Sequence, residues 1–247
     1  IKNDFQKHFY RDYIIPINPI NLENFLNQMR DGKYILKPLN LGGGNQVKKI
    51  EIMDNKIIID NKVSNLNEFG ILINNMTSFI IEEVIRQAEY SHKIFPNSVN
   101  TIRMITIKNS NGEIEAITAV HRFGVKKSAP TDNLSRGGIV CEIDLETGTI
   151  KTEVSKVYPF EIKVHPDTNV KIYGTKIPRF NEIKKRIIEC HKDFNFFNMI
   201  AWDTVVTKND FVVIEANTSC EFDALQISNG LRKTKLNDFY VCYGVYK

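Results

Sequence analysis

Two runs, Ile200-Ala201-Trp202-Asp203-Thr204-Val205-Val206-Thr207 and, beyond Lys208-Asn209-Asp210, Phe211-Val212-Val213-Ile214-Glu215-Ala216-Asn217, decide how this chain is read. Both are rich in β-branched and aromatic residues and the tripeptide between them is a turn signal, so the pattern predicts hairpin strands over 200–207 and 211–216. Residues 215 and 217 are two apart and share one strand face, and a hairpin partner can bring Asp203 beside them. Asp203, Glu215 and Asn217 then form a set of two carboxylates and one amide oxygen, suited to Mg²⁺ bridged to nucleotide phosphates. The competing reading is two solvated acids on an exposed face. Glu215 follows Val212-Val213-Ile214, where a buried carboxylate without a partner is costly, and this favours the ligand reading.

Working outward, Phe180 to Phe194 is the clearest amphipathic helix, opened by Pro178 and with Ile183, Ile187, Ile188 and His191 on one face. Thr101–Lys108, Glu113–Arg122 and Ile139–Asp144 alternate like antiparallel strands, with turn signals at Asn111-Gly112 and Thr147-Gly148. Nearer the start, Leu22, Phe25, Leu26 and Met29 predict a helix that stops at Asp31-Gly32. Tyr34–Lys37 is a short strand ending at Pro38, Val47–Met53 and Lys56–Asp60 form a hairpin over Asp54-Asn55, and Leu66, Phe69, Leu72 and Ile73 give a second helix. Ser78–Ile85 is a strand that turns polar at Arg86-Gln87-Ala88-Glu89. The plan is α+β with two lobes.

Lys37 followed by Gly42-Gly43-Gly44 places a cation beside backbone N–H groups that can approach a phosphate chain, although a plain loop after a strand lysine fits equally well. The Lys precedes the glycines, so this is no Walker loop. Strand residues Glu82, Glu83, Val84 and Ile85 can offer backbone groups to a purine edge, with Glu89 near enough for ribose hydroxyls; a core strand with surface glutamates is the alternative. Arg122 and Arg136, near Gly124 and Gly137-Gly138, are candidates to clamp an acidic substrate. His121 and His165 read as hydrogen-bonded structural histidines, Trp202 as core, and Cys220 as a small buried residue.

The chain has 247 residues, enough for a substantial core, with 33 basic against 29 acidic residues and a formal charge of +4. That charge is too small and dispersed to argue for nucleic acid. Four scattered cysteines suggest neither a zinc site nor a disulfide framework, and no apolar run reaches the ~20 residues a membrane helix needs. A cytoplasmic chain without membrane insertion is the expectation. The first residue is Ile1 and not Met, so a fused or missing domain is expected elsewhere.

Taken in order, these features resemble the ATP-grasp superfamily. Ser98-Val99-Asn100-Thr101-Ile102-Arg103, Thr131 to Gly138, His165-Pro166-Asp167-Thr168 and Ala201-Trp202-Asp203 are similar to its sugar-transfer branch, associated with surface-polysaccharide biosynthesis; the likeness spans about Pro16 to Leu231. The resemblance implies a linker or remnant over 1–17, a small lobe over 18–84 and a large lobe over 85–247, with ATP held between the lobes. It implies Lys37 on the ATP phosphates under the loop of Gly42, Gly43 and Gly44, and adenine at Glu82, Glu83, Val84 and Ile85. It further implies ribose at Glu89, phosphate or acyl phosphate at Arg103, and Mg²⁺ at Asp203, Glu215 and Asn217. The chain departs from the pattern at the upstream lysine, where Asp4 is followed by Phe5 and Lys7 is the candidate substitute. The implied activity is an ATP-dependent carboxylate–amine ligase acting through an acyl phosphate on a sugar acid or amino acid. A phosphotransferase, or a non-catalytic nucleotide module attached to a glycosyltransferase, is the alternative.

Overall fold

The computed structural model describes residues 30–38, 46–54, 56–76, 78–151, 154–155, 158–161, 163–219, 222, 225 and 234–244. The body of the helix expected from Asn21, Lys7, Gly42, Gly43, Gly44 and Cys220 lie outside the described residues. The chain divides into two compact units between Ile85 and Arg86.

The unit before Arg86 holds strands β1 (Gly32–Pro38), β2 (Lys48–Met53), β3 (Lys56–Ile59) and β4 (Lys62–Ser64), helix α1 (Leu66–Asn74) and strand β5 (Phe79–Glu83). They form one antiparallel sheet in the order β4-β3-β2-β1-β5. The sequence pattern did not foretell β4. It follows from Asp60 and Asn61, whose φ values of 48° and 68° are the two left-handed residues that a tight hairpin turn requires. Helix α1 starts at a reciprocal cap: the Glu68 N–H donates to the Asn65 side chain, and the Asn65 N–H donates back to the Glu68 carboxylate. Tyr34, Leu36, Ile50, Ile52 and Ile57 pack on Phe69 and Ile73 of that helix. Strand alternation therefore sends Ile35, Lys37, Ile80 and Glu82 to the opposite face.

The unit from Arg86 onward holds helix α2 (Glu89–Ile94), strands β6 (Ile102–Lys108), β7 (Ile114–Phe123) and β8 (Ile139–Glu142), and the small pair β9 (Val154–Ser155) and β10 (Tyr158–Glu161). Helix α3 (Phe180–Asp193), strands β11 (Met199–Val206) and β12 (Phe211–Asn217), and helix α4 (Lys235–Cys242) follow. The main sheet is antiparallel in the order β12-β11-β6-β7-β8. One face, with Ile102, Met104, Ile200 and Trp202, packs on Ile183 and Ile187 of α3. The other, with Ile105, Ile107, Val120, Val140 and Ala201, packs on Leu236 and Phe239 of α4. Helix α3 buries Cys190 and His191 and leaves Ile188 half-buried, one position away from the expected face. Its start is fixed by Gly148, at φ 69°, where a Cβ would run into Phe180. Among the described residues no helix is long and apolar enough to cross a membrane.

One irregularity decides where the polar residues of β12 point. Asp203 pairs with Glu215 but Thr204 pairs with Val213, so Ile214 is an extra, unpaired residue, a β-bulge. Phe211 and Val213 belong to the core on the Trp202 side. Plain alternation would have continued Glu215 onto that core; the bulge reverses the phase and puts Glu215 and Asn217 on the face of Asp203 and Ala201.

Candidate active site

The register of the second sheet lines up Glu215, Asp203, Arg103, Val120 and Glu142 as direct partners across β12, β11, β6, β7 and β8. Directly opposed residues share a face, so this is one row across the whole sheet. At its centre Arg103 grips Asp203 with a fork: Nε donates to Oδ1 at 2.8 Å and Nη2 donates to Oδ2 at 2.7 Å. Arg122, at the end of β7, adds a third bond from Nη2 to Asp203 Oδ2 at 2.9 Å. Burial alone would raise the Asp203 carboxyl, but the two guanidinium groups outweigh it and hold it below the usual carboxylate range.

Arg122 is held from its other side as well. Its Nε donates to Thr101 Oγ1 at 2.7 Å, and that hydroxyl donates to Asp132 Oδ2 at 2.6 Å. The Thr101 N–H donates to the same oxygen at 2.8 Å. Ahead of it, buried Asn100 ties the entry to β6: its Nδ2 donates to the Phe95 carbonyl at 2.8 Å and its Oδ1 accepts from the Gly124 N–H at 3.1 Å. The loop carrying Asp132 approaches so closely that a Cβ on Gly138 would strike the Asp132 carbonyl. Thr101 and Asp132 were visible in the sequence as motif residues, but their attachment to Arg122 was not, because it joins positions 21 and 31 residues apart.

Glu215 is exposed and Asn217 half-buried. The expectation that Glu215 follows the apolar run into a costly burial is therefore corrected: the bulge turns it outward, and its carboxylate is solvated. Glu215 and Asn217 fit a cation that keeps one or two protein oxygens and completes its shell with phosphate and water. Asp203 gives both oxygens to guanidinium groups, so a cation there would share an already neutralised carboxylate. Among the described residues no group of three or more His, Cys, Asp and Glu side chains is placed to hold a metal ion.

In the first unit, Lys37 is ion-paired with Glu82 diagonally across β1 and β5. The Val84 N–H donates to the Lys33 carbonyl at 2.7 Å, so of the backbone groups expected to remain for a purine edge this one is taken within the sheet. Glu83 is exposed and Ile85 half-buried. Glu89 begins α2, exposed and paired with Lys93 at 2.6 Å, which lowers its carboxyl pKa. Arg136 is half-buried at the end of the turn Leu134–Arg136, just before Gly137 at φ 98°.

His121 and His165 are fully buried and serve the scaffold. His121 Nδ1 lies 3.2 Å from the Arg122 carbonyl and so carries the proton, leaving Nε2 to accept from the Tyr90 hydroxyl at 2.8 Å. Burial pushes its pKa down to about 3. His165 Nε2 donates to the Gly124 carbonyl at 2.7 Å. Trp202 is fully buried, its Nε1 donating to Thr106 Oγ1 at 2.8 Å.

Comparison with known proteins places this arrangement. No curated protein matches the chain. Among solved structures it is similar to the ADP complex of purK, N5-carboxyaminoimidazole ribonucleotide synthetase, with a TM-score of 0.47 and 10% identity over 90% of this chain and 44% of that one. The chain thus spans less than half the length of that enzyme. The model of the family described as sugar-transfer associated ATP-grasp matches residues 14–238. That span takes in both sheets, the lysine strand and every residue of the charged row, and the chain belongs to the sugar-transfer associated ATP-grasp family, with the ATP-grasp fold.

Proposed function

We propose that the chain is an ATP-dependent carboxylate–amine ligase. A substrate carboxylate oxygen attacks the γ-phosphorus of ATP and ADP leaves; an amine then attacks the acyl carbon, phosphate leaves and an amide forms. Such chemistry needs alignment and charge neutralisation more than a protein nucleophile. The observation that carries the reading is the row centred on Arg103, in a chain of this family: a fixed guanidinium fork flanked by a second arginine and by outward oxygens at Glu215 and Asn217.

In this reading Lys37, Arg103 and Arg122 neutralise phosphate and carboxylate oxygens, and Arg136 helps hold an acidic substrate. The loop of Gly42, Gly43 and Gly44 covers the phosphates and excludes water. Residues Glu82, Glu83, Val84 and Ile85 hold adenine, and Glu89 the ribose. Asp203, Glu215 and Asn217 are the residues to hold Mg²⁺, which when bound withdraws charge from the phosphate oxygens. The substrate in this reading is a carboxylate on a sugar acid or amino acid destined for a surface polysaccharide; the family description, sugar-transfer associated, supports its link to a sugar.

The test is ADP release from Mg-ATP with pooled uronic and amino acids, with and without pooled amines, the products followed by mass. Turnover that needs both pools and yields a product one water lighter than its parents is expected. A stable phosphorylated product formed without amine would make the enzyme a phosphotransferase. Nucleotide binding without turnover in any pool would make it a binding module or one dependent on a further domain.

A further inference from the structure

We infer that Asp132 and Thr101 are positioning residues that hold Arg122 as a fixed oxyanion receptor, with Nη1 as the contacting group. This rests on the ligase reading only for what the oxyanion belongs to. The geometry carries the rest. Arg122 has one end fastened to Thr101 and through it to Asp132, and Nη2 fastened to Asp203. A guanidinium held at Nε and at Nη2 has its plane fixed, and its remaining donors are aimed by that plane. Nη1 has no partner among the described residues, and none of the described buried side-chain nitrogens or oxygens lacks one, so Nη1 reaches solvent. It does so from a side chain that is itself only 11% exposed, between carboxylates that are 9% and 4% exposed.

The charge arithmetic points the same way. Asp132 and Asp203 balance Arg122 and Arg103, so the cluster folds without help from a ligand. An arriving oxyanion then meets a preorganised donor with no side chain to be ordered first, which is where an arginine contact gains most. The ligand class is a phosphate or carboxylate oxygen, supplied by the nucleotide, the acyl phosphate or the acidic substrate.

The experiment uses the full chain with ¹⁵N-labelled arginine. The Arg122 Nε–H signal, identified by its loss in Arg122→Lys, is followed while inorganic phosphate and, separately, acetate are titrated in. A saturable shift is expected, and the arm that saturates at lower concentration names the oxyanion. Thr101→Val removes the link between Arg122 and Asp132 and should weaken that binding about tenfold, the scale of one charge-assisted hydrogen bond. Thr101→Ser, which keeps the hydroxyl, should restore it, and Asp132→Asn, which keeps an acceptor but loses charge, should fall between. If the valine variant does not fold, the serine and asparagine variants carry the comparison. An Arg122 signal that ignores both anions, or variants that bind them as the parent does, would overturn the inference. Calorimetric binding of Mg-ADP is measured alongside. A chain that binds no nucleotide but whose Arg122 signal still responds defeats the ligase reading alone, and the converse defeats the inference alone.

Discussion

Lys37 and Arg103 each stand on an inner strand of an antiparallel sheet beside a carboxylate, yet the two pairs are built to opposite ends. Lys37 and Glu82 keep 29% and 17% of their side chains exposed, and a lysine is a point charge on a flexible stem. Arg103 and Asp203 keep 16% and 4%, joined by a planar fork with Arg122 on the second oxygen. A half-buried lysine pair, with solvent still reaching both side chains, is more easily exchanged for another anion and contributes less to folding. The buried fork is part of the fold itself, and its arginines serve a ligand only through the donors that the fork leaves over.

The sharpest way to break this comparison is to remove one charge in each region. Asp203→Asn leaves two guanidinium groups facing a neutral amide, and breaking such a pair should cost about 3 kcal/mol in urea denaturation. A loss no greater than that of the Lys37 variant below would mean that the two pairs are equivalent after all.

Acid sharpens the contrast next. His121, stacked on Phe123 beneath Arg122, is held neutral, with a folded pKa of about 3 against 6.5. The unfolded chain therefore takes up its proton first, and stability falls from about pH 6.5 down to about pH 3 by roughly 1.4 kcal/mol per unit. His121→Gln should recover about 2 kcal/mol of that acid loss at pH 5, read as a flatter profile of melting temperature against pH. Asp203, whose carboxyl is depressed, contributes fully above the unfolded carboxylate pKa and loses that contribution only as pH falls further, through its lower folded value. A parent profile that is flat from pH 7 to 5 would remove the buried layer from the comparison.

Smaller effects belong to the residues that solvent reaches, half-buried Lys37 and exposed Glu215. Lys37→Met should change stability by less than about 1 kcal/mol, while Mg-ADP binding by calorimetry falls at least about tenfold. Glu215→Gln should leave stability within about 0.5 kcal/mol, because the side chain is solvated, and should lower the Mg²⁺ dependence of nucleotide binding. Lys37→Met as disruptive to folding as Asp203→Asn, or Glu215→Gln without effect on the Mg²⁺ dependence, would sink the respective assignment.

Much of the fold could be read from the residues because its signals are local. The alternation of β6, β7, β11 and β12, the apolar face of α3 and the turn at Asp54 all lie within windows of a dozen residues or so. Helix α2 escaped because six residues carry too little periodicity, and β4 because Lys62–Ser64 is three residues long and lies on an edge. At the site, the sharing of one face by Glu215 and Asn217 was legible from spacing, but their sharing it with Asp203 was not, because that depends on the bulge at Ile214. The burial expected for Glu215 was not, because it assumed an unbroken strand. The fork on Asp203 was illegible for another reason: Arg103 and Asp203 are 100 residues apart, and pairing over that distance is written in the sheet order and not in any motif.

The unpaired Ile214 is a spacer that can be taken out of β12 without reordering it. Val213 lies opposite Thr204 and Glu215 opposite Asp203, so a chain lacking Ile214 would run through both pairings as a regular ladder, each side chain on the face it already has. Straightening the strand with Ile214 kept is the harmful change: the isoleucine would take the place opposite Asp203, and the carboxylate would turn toward the Trp202 side. A single-residue deletion at Ile214 therefore acts as the loss of one spacer and keeps the hairpin's inside and outside.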